Sequence, residues 1–126
     1  MKRLVLLLAL LPAPALALDC DNAVSQTEMT GCASQAYEAA DADLNAAYKT
    51  AMTRAKALDD WLTTPVTATE SLRKAQRSWI TYRDQACTAE ILRYNGGTIA
   101  NMVYYTCLER LTKQRQHDLE IFAEEG

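Results

Sequence analysis

Two arginines, Arg83 and Arg115, fall where apolar residues are expected, and their placement sets the chemistry this chain could do. With Gln76 as zero and about 100° per residue, Leu72 falls near −40°, Trp79 near −60°, Ile80 near +40°, Arg83 near −20° and Cys87 near +20°. A guanidinium therefore shares the inward stripe of a helix, where charge is costly unless paired. An arginine fork beside an indole suits two tasks. One is to hold an anion or a carbohydrate in a groove floored by Gln76, Trp79 and Arg83. The other is to fix the register of packed helices through a buried polar network. Its candidate partners are Asp41 and Asn45, Asp84 and Glu90, and Thr112 and Asp118, on three successive elements. Polar groups on inward faces are usually satisfied internally, which favours the network. Trp79 and Tyr82 read as core aromatics before they read as ligand-binding ones.

Other reactive groupings are sparse. His117 falls on a polar face, and no serine or cysteine lies in a nucleophile motif. Asp41, Asp43, Asp59, Asp60 and Asp84 form no recognisable acid–base pair for glycoside cleavage. Gly96-Gly97 is too short for a phosphate loop and reads as a helix stop. Cysteine spacings of 12, 55 and 20 contain no paired zinc-ligand motif. The reading is a protein without catalysis, metal or cofactor.

Three helices position these residues. Ser25-Gln26-Thr27-Glu28 has the form of a capping box, after which Met29, Ala33, Tyr37, Ala40, Leu44, Tyr48, Ala51, Ala55, Leu58 and Leu62 recur at steps of three and four. This predicts a helix over about 25–59 with an alanine-rich inner face. A second helix starts either at Thr64 with Pro65 or at Thr67 with Glu70, and runs to about residue 94, where Asn95-Gly96-Gly97 ends it. A third begins near Thr98, with Tyr104, Leu108, Leu111, Arg115, Leu119 and Phe122 on one side. No segment alternates with a period of two. The expected fold is all-α, a small antiparallel three-helix bundle.

Lys2 and Arg3 precede an apolar run, and Ala15-Leu16-Ala17 offers a cleavage site, so residues 1–17 read as a secretory signal and 18–126 as one mature domain. Asp19 before Cys20 does not make a lipid-attachment site, and no later segment can span a bilayer. The mature part keeps 11 basic against 16 acidic residues, a net charge of −5. That disfavours nucleic acid and anionic membrane and favours a cationic partner. All four cysteines lie in the mature part, and an even count in an exported chain implies disulfides. Cys87 lies eight residues before Asn95 and Cys107 ten after Gly97, so in a helical hairpin they reach similar heights. Cys87–Cys107 is therefore the favoured bridge and Cys20–Cys32 follows by elimination, with two other connectivities open. Each closes a loop worth about 3 kcal/mol in the chain-entropy model.

The chain resembles the LprI-type lysozyme inhibitor family. The residues that carry the resemblance are Cys20, Glu28-Met29-Thr30-Gly31-Cys32-Ala33, Tyr37, Asp41, Leu44-Asn45 and Tyr48. They continue with Leu72, Ala75-Gln76-Arg77-Ser78-Trp79, Tyr82-Arg83-Asp84 and Cys87, then Gly96-Gly97-Thr98, Cys107-Leu108, Leu111-Thr112 and Arg115. The resemblance implies a periplasmic or secreted, non-catalytic protein that inhibits lysozyme-type muramidases, with lysozyme or another cationic envelope protein as partner. The connections at 59–66 and 95–97 are then the expected contact regions, since loops on a rigid scaffold often carry binding. The alternative is an envelope interaction module that uses the Arg83 stripe for an anionic ligand or a protein partner.

Overall fold

The computed structural model describes residues 17–124; the expected signal, residues 1–17, lies outside the described residues except for Ala17. Ser25 begins the first helix by accepting the Glu28 N–H at 3.2 Å, and the Glu28 carboxylate accepts the Ser25 N–H at 2.9 Å. Two of the free donors at the helix start are thereby met. These bonds, the Ser25 backbone N–H first, hold the Glu28 carboxyl below its usual value. Helix α1 spans Gln26–Asp59, and Ala40, Leu44, Ala47, Ala51 and Ala55 form its buried ridge. Helix α2 spans Ala68–Ile91, one 3₁₀ turn follows over Leu92–Tyr94, and α3 spans Ala100–Glu124. The described residues contain no strand.

Contacts between the helices fix their directions. Asp41 meets Arg83 and Asp59 meets Ala68, so α1 and α2 run in opposite senses. Gln76 meets Arg115, and Cys87 meets Cys107, so α2 and α3 do likewise. Gln26 touches Met102 and Tyr37 touches Tyr105, which sets α1 and α3 parallel. The bundle closes around two apolar clusters. One gathers Leu44, Ala47, Ala51, Ala55, Leu72 and Leu119, with Trp79 and Phe122 packed on it. The other gathers Cys87, Cys107, Leu108 and Leu111 beside Tyr37, Tyr104 and Tyr105. Along every helix the inward polar residues lie between the two.

Both favoured disulfides are present, with Cα–Cα distances of 5.7 Å for Cys20–Cys32 and 5.6 Å for Cys87–Cys107. The first ties the leading segment to α1. Beside it, Leu18 lies against Gly31 so closely that a Cβ there would come within 2.5 Å of the leucine side chain.

Several expectations need correction. Helix α1 ends at Asp59, so Leu62 lies outside its stripe and is exposed. The second helix gives way to a 3₁₀ turn three residues early, and Asn95, at φ 45°, is the first left-handed residue, followed by Gly96 at φ 74°. The third helix starts at Ala100 rather than Thr98. Of the two possible starts for α2, Thr67 is used, its hydroxyl accepting the Glu70 N–H at 3.2 Å. The capping box stays half-made because Glu70 pairs instead with Arg73 at 2.8 Å and Lys74 at 3.5 Å. Ile80 and Tyr82 are not core residues, being 42% and 61% exposed. The groove between α1 and α3 covers α2 only from about Trp79 to Cys87 on the helical projection, which leaves Ile80 beyond one edge and Tyr82 beyond the other.

Candidate functional site

Arg83 sits one turn before Cys87, so the disulfide that anchors α2 to α3 also carries this guanidinium into the bundle. It is 8% exposed. Its Nε donates to Asp84 Oδ1 at 2.9 Å, Nη2 lies 2.9 Å from the same oxygen, and Nη1 lies 3.6 Å from Asp41 Oδ1. The guanidinium carbon is 5.1 Å from the Trp79 ring centre and 5.5 Å from that of Tyr37, within reach of cation–π attraction. Asp41 in turn accepts from the Asn45 amide at 3.3 Å. Burial pushes the Tyr37 phenol up, and the neighbouring Arg83 charge opposes it. The carboxylates of Asp41 and Asp84 remain partly solvated, so this pair is not deeply desolvated.

A second polar pair lies nearer the other apolar cluster. Arg115 Nε donates to the buried Gln76 Oε1 at 3.0 Å, joining α3 to α2. Burial lowers the Arg115 pKa, while the negative charge of Asp118 raises it. Thr112 is wholly buried, and its hydroxyl and Arg115 Nη2 have no hydrogen-bond partner among the described residues. Asp41, Asn45, Trp79, Arg83 and Asp84 are thus brought into one set, and Gln76 with Arg115 into another. The remaining candidates go elsewhere. Glu90 pairs with Arg110 at 2.9 Å rather than with Arg83, and Asp118 makes no close ion pair among the described residues. Helical projection names the inward residues but not which neighbour each one meets, because that depends on the rotation of the adjacent helix.

The loops differ in what they present. Between α1 and α2, Trp61 is 85% exposed, with Leu62 and Val66 exposed beside it. The base of this loop is closed by Asp59, whose carboxylate accepts the N–H groups of Ala68 and Thr69 and the Thr69 hydroxyl, the last at 2.6 Å. The final residue of α1 therefore caps the first turn of α2. The Thr69 hydroxyl is the leading cause of an Asp59 pKa below its usual value. Trp61 and Leu62 donate their N–H groups to Leu58 O at 2.9 and 3.2 Å, and Thr64 Oγ1 donates to Val66 O at 3.0 Å. Neither Trp61 nor the Asp59 cap stood out in the sequence. An aspartate nine residues ahead of a helix has no local signature as its cap, and the expected contact region at 59–66 contains Trp61 without singling it out.

At the opposite end, Leu92, Asn95, Gly96, Gly97 and Thr98 border a shallow depression of about 390 Å³. A groove of about 350 Å³ between α1 and α3 is edged by Asp43, Gln116, Glu120 and Glu124. Among the described residues no group of three or more His, Cys, Asp or Glu is gathered to hold a metal ion, and no helix is long and apolar enough to cross a membrane.

The profile of the family described as Lysozyme inhibitor LprI matches residues 20–119. A protein of Rhizobium meliloti (strain 1021), named only as uncharacterized, is 40% identical over 106 residues, covering 81% of this chain and 76% of the relative. No solved structure matches the chain.

Proposed function

Because the chain belongs to the lysozyme inhibitor LprI family, we propose that it is a non-catalytic inhibitor of lysozyme-type muramidases that acts outside the cytoplasm. The match over residues 20–119 is the observation that carries this reading, since it covers α1, α2, most of α3 and all four cysteines. The two disulfides agree with an oxidising compartment. The net charge of −3 for the whole chain, and −5 without residues 1–17, would speed encounter with a cationic enzyme. Inhibition by a rigid scaffold needs only that a surface occupy the enzyme's cleft. The side chains described above supply binding and shape rather than proton transfer.

The test is a cell-wall lysis assay with purified residues 18–126 against one animal-type and one bacterial muramidase. Inhibition that saturates at a one-to-one ratio is expected for at least one of them. Full activity of both enzymes at micromolar excess of the protein would reject the reading.

A further inference from the structure

We propose that the loop of residues 60–67 is the surface that enters the saccharide-binding cleft of the inhibited muramidase, with Trp61 as its anchor. This rests on the inhibitor reading above and names the surface that would carry it. A muramidase cleft binds sugar rings and is flanked by the two carboxyl groups that cleave the glycosidic bond. A segment that fills it must offer flat apolar area and hydroxyls, and it must bring no negative charge to the tip. The run Trp61-Leu62-Thr63-Thr64-Pro65-Val66-Thr67 has seven residues without a charge, with Asp59 and Asp60 before it and Glu70 after it. The tip is thus neutral and its shoulders are acidic, which matches a carboxylate-lined cleft within a cationic enzyme surface.

Exposure and rigidity support the same choice. Trp61 is 85% exposed, against 61% for Tyr82, and Leu62 and Val66 stand beside it. Tryptophan in such a position supplies large contact area at low cost in conformational freedom, as binding hot spots require. The Asp59 cap, the two N–H bonds to Leu58 O and the Thr64–Val66 bond hold the loop before any partner arrives, so less ordering is left to offset on binding. The loop at the far end of the bundle is apolar at Leu92, but Arg93 stands next to it and its tip is Asn95 and two glycines rather than an anchor.

The experiment measures inhibition and binding by wild-type protein, Trp61→Ala and Leu92→Ala, with thermal melting as the check on folding. Both substituted side chains are exposed, so melting temperatures should match the wild type. Trp61→Ala should raise the inhibition constant about thirtyfold or more and Leu92→Ala by less than about twofold. Chitotriose, a sugar that occupies muramidase clefts, should compete with wild-type binding. Wild-type inhibition with Trp61→Ala equally potent, or binding that chitotriose does not displace, would overturn the loop assignment and leave the inhibitor reading standing. A wild-type protein that neither binds nor inhibits would overturn both.

Discussion

Helix α2 and the α1–α3 pair are held by different physics. The α1–α3 contact is a seam of small and aliphatic side chains, with Ala47, Ala51 and Ala55 set against Leu119. Alanine lets the backbones approach, and the leucines fill what remains. Helix α2 buries only Leu72, Gln76, Arg83 and Cys87. Two of these are polar and a third is a disulfide, so α2 is attached through a bond, an arginine and an amide as much as through apolar area. The apolar seam favours closeness and tolerates sliding. The α2 contacts are directional and specify one register.

The largest expected effect tests the apolar side. Leu119→Ala should lower unfolding free energy by about 3–4 kcal/mol, because the side chain is fully buried among neighbours that cannot collapse onto the gap. Leu72→Ala on α2 should cost less, about 2 kcal/mol, since Leu72 keeps 8% of its surface exposed against 1% for Leu119. Urea denaturation of both variants checks the order, and equal losses would erase the distinction. Next comes the covalent attachment. Replacing Cys87 and Cys107 together by alanine should cost about 3 kcal/mol. Chain entropy alone puts the Cys20–Cys32 pair only about 0.4 kcal/mol lower, from its shorter loop. A gap clearly larger than that between the two double variants would show that α2 depends on its bridge more than the leading segment does.

Arg83→Met sharpens the comparison on the polar side. The substitution keeps the stem and removes the charge, and the released carboxylates of Asp41 and Asp84 can still reach water. A loss of about 1–2 kcal/mol is expected, below the figure for a fully buried pair. Arg83→Lys should recover little of it, because an ammonium cannot make the paired bonds to Asp84 and lies poorly against two rings. If Arg83→Met melted like the wild type and instead abolished binding of an anionic ligand, the stripe would be a site after all.

How legible all this was depended on whether the deciding contact was local. The helix over 26–59 follows from a capping box and a regular ridge, both written within one element. The Cys87–Cys107 bridge follows from counting residues on either side of one turn. The inward position of Arg83 was readable from the projection, but its choice of Asp41 and Asp84 over Glu90 was not, since several acids lie within a side chain's length and helix rotation selects among them. Ile80 falls inside the projected arc yet is exposed for a related reason, whereas it is the aromatic type of Tyr82, not its angle, that suggests core. A projection gives the centre of the buried arc, whereas its width is set by how many helices cover it. The start of α2 was ambiguous because half of its cap comes from Asp59, on another helix.

That cap provides the smallest and most selective test. Asp59 and Glu28 both accept N–H groups at a helix start and both have carboxyls held below their ordinary values. A carboxyl depressed in the folded state stabilises it above the unfolded-state pKa, and that contribution is lost as pH falls through the folded value. Urea midpoints should therefore fall on acidification below about pH 4, and Asp59→Asn and Glu28→Gln should each flatten part of that slope. The two differ in what else they hold. Glu28 caps its own helix, whereas Asp59 joins α1 to α2 across the exposed loop, so only Asp59→Asn should loosen Trp61. Limited chymotrypsin digestion at neutral pH reads this directly. Cleavage after Trp61 should be faster in Asp59→Asn than in the wild type and unchanged in Glu28→Gln, and equal rates in all three would mean that the loop keeps its shape without the cap.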